Sequence, residues 1–132
     1  MNEQIREVIS SFIDDRGELD ALDFIDVPFT PRRLFILRDI PPKTVRGEHG
    51  HFSTDQYLIV LMGEMELLIV REDGEEITSN LQKGEGIYIP KKMWIRMTFA
   101  TASEVLVLAS APYSQEDYFY KPAVMIRQEQ KK

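Results

Sequence analysis

The chain has 132 residues and a mass of 15.4 kDa, the size of one compact domain and too short for two. Its 43% hydrophobic, 10% aromatic and 29% charged content supplies a core and excludes disorder throughout, and with no cysteine it can form neither a disulfide nor a thiolate site. The net charge of −6 sits in the leading segment, because residues 1–26 carry eight acids and two bases and the remainder fourteen of each; no basic stripe is left to hold a nucleic-acid polymer.

The opening MNEQIREVIS is too polar for a secretory signal. The longest apolar run, Tyr57 to Met62, falls far short of the ~20 residues that span a bilayer, so a cytoplasmic protein with no membrane partner is expected. Ile5, Val8, Ile9, Phe12 and Ile13 fit a helical stripe, while Val8-Ile9 and Phe12-Ile13 fit an edge strand equally well. Pro28 and Pro31 flank the one plausible boundary, which divides a single domain into an N-terminal segment (1–27), a barrel (28–118) and a C-terminal tail (119–132). From there strands follow. Leu34 to Leu37 lies between Pro31 and Pro41-Pro42. Tyr57 to Met62 and Met65 to Val70 are separated by Gly63-Glu64, and Asp73-Gly74 marks a hairpin before the next strand. Gly84 and Gly86 precede Ile87-Tyr88-Ile89-Pro90. Met93, Ile95, Met97 and Phe99 then alternate with Trp94, Arg96 and Thr98, and Val105 to Leu108 closes the series. Short strands at roughly ten-residue spacing with Gly or Pro between them read as an all-β sandwich or small barrel.

The only two histidines fall together as His49-Gly50-His51. At i and i+2 on a strand both imidazoles face one way, about 7 Å apart, and imidazole is the side chain suited both to move protons near neutral pH and to bind metals. The fragment Gly47-x-His49-x-His51-x4-Gln56-x6-Gly63 resembles the first cupin motif, and Gly84-x5-Pro90-x3-Trp94 the second. Metal-binding cupins carry a Glu after the histidine pair and a further His in the second motif, where this chain has Gln56 and Trp94. Two good ligands remain, so a site without metal or other cofactor is expected.

At greater length, Asp14-Asp15-Arg16-Gly17-x-Leu19, Pro28-Phe29-x3-Arg33, Arg46-Gly47-x-His49-x-His51-x4-Gln56, Gly86-x-Tyr88-x-Pro90-x3-Trp94, Leu108-Ala109-Ser110-x2-Tyr113 and Glu116-Asp117-Tyr118 occur in order. The set resembles the nucleotide-sugar 3,4-ketoisomerases, the WxcM-like or FdtA-like members of the RmlC-like cupins, from Asp14 to Tyr118. Phe52 stands where that family usually has a basic residue, and the usual Ile-Arg after the tyrosine is missing. The resemblance implies a cupin double-stranded β-helix (jelly roll), and a homodimer that exchanges N-terminal strands, which would make the first segment a strand. It implies metal-free isomerisation of a dTDP-linked 4-keto-6-deoxyhexose to the 3-keto sugar, for deoxysugars of lipopolysaccharide or S-layer glycans, with a PLP-dependent aminotransferase downstream.

Residue roles follow from the same likeness. His49 and His51 share the base and acid roles in proton transfer through an enediol. Arg16 and Arg33 are candidates for the diphosphate, or are solvated surface residues. Arg46 holds ligand charge or braces the histidine strand. Tyr88 and Trp94 line the sugar or base pocket, or fill core space. Tyr118 reaches the pocket through its hydroxyl or packs the C-terminus, and Gln56 orients a histidine or a sugar hydroxyl. The alternative function is a sugar-nucleotide-binding or regulatory cupin without activity.

Overall fold

The computed structural model describes residues 5–130. Its strands are β1 (Arg6–Glu7), β2 (Ser10–Asp14), β3 (Gly17–Ala21), β4 (Arg33–Ile40), β5 (Thr44–His51), β6 (Gln56–Met62), β7 (Glu64–Val70), β8 (Glu76–Gln82), β9 (Glu85–Ile89), β10 (Trp94–Phe99), β11 (Ser103–Ala109) and β12 (Tyr118–Phe119), followed by one helix, α1 (Ala123–Gln130). Two five-stranded sheets form, in the orders β1-β9-β6-β11-β4 and β12-β5-β10-β7-β8, with β2 and β3 as a separate hairpin. Every pairing is antiparallel. Apart from the hairpin of β7 and β8, each connection from β4 to β11 crosses between the sheets, the winding of the double-stranded β-helix. The all-β jelly roll implied by the sequence is the fold.

The period-2 pattern decides which residues fill the space between the sheets. Leu58 and Val60 from β6, Ile87 and Ile89 from β9, and Val105 and Val107 from β11 meet Met65, Leu67 and Ile69 from β7 and Ile95, Met97 and Phe99 from β10 in one core cluster. The uninterrupted run of β6 has a second reason: its outward residues Tyr57 and Ile59 are also covered, by Val8 and Val27 of the N-terminal segment. The hairpin of β7 and β8 turns at Asp73-Gly74 as the sequence signals. Gly74 adopts φ +92, and the Asp73 carboxylate accepts the Glu75 N–H at 2.9 Å.

The ambiguous first segment is extended rather than helical. β1 pairs with β9, adding a strand to the first sheet from ahead of Pro28, and Val8 packs inward. In the β2–β3 hairpin, by contrast, every residue is exposed, including Phe12, Ile13 and Leu19. The tail contains an element that the sequence pattern does not signal. Pro122 accepts the first backbone bonds of α1 from Met125 and Ile126. The helix docks by Ile126 on Val70, Trp94 and Phe119, on the outer face of the second sheet.

Candidate active site

β5 places the two histidines. Both imidazoles project from one face, with ring centroids 5.2 Å apart. The residue between them faces the other way into a crowded space, where a Cβ on Gly50 would meet the Phe119 ring and lie 2.5 Å from the Met93 carbonyl oxygen. Glycine therefore lets β12 and the end of β10 close on the strand behind the imidazoles.

Strict alternation would turn Arg46 away from the histidine face. The ladder prevents this, because Ile95 pairs with His49 and Arg96 with Gly47, leaving Glu48 as an extra residue in a bulge. Gly47 and Glu48 take φ of +83 and +59, the second held partly by a 3.8 Å ion pair to Arg96. The bulge resets the alternation, so Arg46 and His49 line the same pocket.

That pocket has a volume of about 280 Å³ and lies between the sheets at one end of the barrel. Leu37, Leu58, Ile95, Met97 and Val107 form its apolar floor, and Arg33, Arg46, His49, Gln56 and Tyr118 supply its polar groups. Tyr118 roofs the histidines, its ring centroid 4.9 Å from that of His49 and 4.4 Å from that of His51. Arg33 is held flat between two rings, 4.5 Å above Phe35 and 5.3 Å from Tyr113. The structure thus places Tyr118, the half-buried Arg33 and the exposed Arg46 along the lining of the pocket.

Enclosure sets the charge of the imidazoles. Burial pulls the His49 pKa down, opposed by a hydrogen bond to the Gly47 backbone. His51 is pulled from 6.5 to about 4, first by burial and then by His49, with Asp117 acting in the opposite sense and Arg33 in the same sense. Both rings are therefore neutral at pH 7, each with a lone pair free to accept a proton.

Three residues singled out in the sequence lie elsewhere within the chain. Arg16 sits at the turn of the exposed β2–β3 hairpin, paired with Asp14 at 2.5 Å. Tyr88 points outward because its neighbours Ile87 and Ile89 point into the core; it packs near Phe29 at 6.1 Å and hydrogen-bonds Asp55, its pKa raised by burial and by that carboxylate. Trp94 faces outward for the same reason of parity, opposite Ile95. It lies under α1 with Arg96 5.1 Å from its ring, and its buried indole N–H has no hydrogen-bond partner among the described residues. Of the positions that the cupin motifs would use for metal, His49 and Gln56 line the pocket, His51 lies against His49, and Trp94 is elsewhere. Among the described residues no group of three or more His, Cys, Asp or Glu side chains comes together, and no helix is long and apolar enough to cross a membrane. Sequence reasoning did not mark Asp117 or Ser53-Thr54 as site residues; the signal was the adjacency of Asp117 to Tyr118 and of Ser53 to the histidine pair.

The FdtA family (WxcM-like, C-terminal) matches residues 1–129. The chain belongs to the FdtA family. A TDP-4-oxo-6-deoxy-α-D-glucose 3,4-oxoisomerase of Aneurinibacillus thermoaerophilus is 32% identical over 111 residues, 80% of this chain and 78% of the relative. Among solved structures, a 3,4-ketoisomerase of Helicobacter canadensis superimposes with a TM-score of 0.78 at 28% identity, over 96% of each chain. A His-to-Asn variant of the 3,4-ketoisomerase QdtA of Thermoanaerobacterium thermosaccharolyticum, solved with TDP-4-keto-6-deoxyglucose, gives 0.77 at 27% identity over 100% of this chain and 98% of its own. Like these relatives, the chain is an isomerase.

Two expectations follow from the site's construction. Gly50→Ala forces Phe119 and β12 off β5, lowering stability by about 1–3 kcal/mol, to be read from denaturant melts. The second concerns pH. Because the folded pKa of His51 lies near 4 against an ordinary 6.5, the unfolded chain takes up the proton first; stability present above about pH 6.5 is lost as pH falls toward about 4. His51→Asn should flatten this part of the stability profile, which melting temperatures across that interval measure.

Proposed function

We propose that the chain moves the keto group of a TDP-linked 4-keto-6-deoxyhexose from carbon 4 to carbon 3, by proton transfer through an enediol at His49 and His51. The observation that carries this reading is a pair of adjacent neutral imidazoles under Tyr118, of which His49 lines a pocket that also presents Arg33 and Arg46. A hydrogen on the carbon beside a ketone is acidic enough for a neutral imidazole to remove when the developing oxyanion meets a donor. Tyr118 and Gln56 are the neutral donors at hand, and the arginines stabilise negative charge on the enediolate. One imidazole takes the proton from carbon 3, the enediol passes a proton between its oxygens, and carbon 4 is protonated. No metal enters this step, because the donor set at the motif positions offers two good ligands and a weak amide.

The pocket accommodates a sugar ring rather than a whole nucleotide sugar, so the diphosphate and base extend past its mouth, where Arg33 and Tyr113 stand. The 3-keto product has the carbonyl that a PLP-dependent aminotransferase requires. The relatives named above support the substrate class, and a cytoplasmic setting fits a nucleotide-sugar substrate.

The test is incubation with TDP-4-keto-6-deoxyglucose in heavy water, with and without a chelator, followed by NMR. Deuterium should enter at carbon in both cases, and His49→Asn and His51→Asn should each slow exchange on the order of 10²-fold or more with little change in affinity. Full exchange in both variants, or exchange restored only by added metal, would overturn the mechanism.

We further propose a homodimer in which the β2–β3 hairpin reaches a second copy. Phe12, Ile13 and Leu19 are 65%, 74% and 60% exposed in the single chain, and an isolated two-stranded hairpin is marginal in water. Deleting residues 1–13 should give an unstable or aggregating protein. A folded, monomeric, active truncation seen by sedimentation would refute the exchange.

A further inference from the structure

β12 meets β5 through two residue pairs, Tyr118 with His51 and Phe119 with Gly50. So short a ladder does not fix a strand on its own, yet the roof of the site hangs from it. The missing restraint is one residue earlier. The Asp117 carboxylate accepts the Ser53 N–H at 2.9 Å and the Ser53 hydroxyl at 2.6 Å on one oxygen, and the Thr54 hydroxyl at 2.5 Å on the other. Its own carbonyl accepts the Phe52 N–H at 2.8 Å. Phe52, Ser53 and Thr54 directly follow His51, so one residue ties the exit of the histidine strand to the entry of the tyrosine strand.

We propose that Asp117 is a positioning residue of the isomerase, clamping Tyr118 over both imidazoles and fixing one negative charge beside His51. The inference rests on the acid–base reading of His51 given above. Burial pushes the Asp117 carboxyl up, but the donors of Ser53 and Thr54 and the nearby His51 bring it below its ordinary value, so it is an anion at neutral pH. Around His51, His49 on its own strand and Arg33 on β4 disfavour a proton on the ring, Tyr118 covers it from β12, and Asp117 favours the proton. Clamp and charge thus act on the same imidazole by separate routes.

Two variants of the full chain separate them. Asp117→Asn keeps an acceptor for Ser53 and loses the charge, whereas Asp117→Ala loses both. With only two histidines in the chain, labelled imidazole nitrogens report each ring by NMR without turnover, and His49→Asn assigns the signals. In Asp117→Asn the His51 midpoint should fall below that of the wild type, and kcat on TDP-4-keto-6-deoxyglucose should drop on the order of tenfold with KM nearly unchanged. In Asp117→Ala the roof lifts, water reaches the ring and the midpoint should rise toward 6.5, with a kcat loss on the order of 10²-fold. If Asp117→Ala does not fold, the Asp117→Asn shift alone decides. Unchanged His51 titration and kcat in a folded Asp117→Asn would overturn the proposal, as would shifts of the same sign in two folded variants. Opposite shifts in a chain whose wild type exchanges no deuterium would sustain the clamp and overturn the reaction assigned above.

Discussion

Two imidazoles with ring centroids 5.2 Å apart, His51 buried and His49 half-buried at the pocket, disfavour a second proton, and that constraint organises the surroundings. A charged ring there would lose its hydration, and at His51 it would face the cation of Arg33 as well as its neighbour. Neutral, each ring has one acceptor and one donor nitrogen, the form that the proposed proton transfer requires. Leu58, Ile95, Met97 and Val107 give the pocket an apolar floor, and the carboxylate near His51 offsets part of the loss of basicity that burial causes.

The same enclosure depends on parity. A β-strand offers its faces alternately, so a jelly roll sorts each residue to the core or to the outside without regard to chemistry. Arg46 reaches the pocket because the strand breaks alternation at Glu48, whose left-handed backbone costs about 1–3 kcal/mol in a residue with a Cβ. A cationic side chain and the histidines could share one face by no regular spacing between 46 and 49, and the strain of the bulge is spent on that placement.

Much of this was legible in the sequence. The runs at Tyr57, Met65 and Met93 and the turn at Asp73-Gly74 gave strands and hairpin directly, since apolar alternation and left-handed glycine are local signals. The histidine pair was legible too, because i and i+2 on any strand share a face. Tyr88 and Trp94 carry the limit of motif reading: each occurs at a motif position, yet Ile87, Ile89 and Ile95 beside them claim the interior, and period-2 applied to those neighbours sends both aromatics outside. Helix α1 had no strong signal, as eight residues with one weak apolar stripe take their order from docking on Val70 and Trp94. Asp117 stands in the Glu116-Asp117-Tyr118 stretch that carries the resemblance, but its anchoring contacts are not local. Its partners lie 63 and 64 positions away, and no local pattern encodes a contact of that separation.

That separation has a consequence for the order of assembly. Translation delivers both histidines and their pairing partners on β10 well before residue 117. A nascent barrel can thus pair β5 with β10 while the imidazoles still lack the cover of Tyr118. The arrival of the Asp-Tyr segment covers the histidine pair, so the site is completed only after nearly all of the barrel has been made.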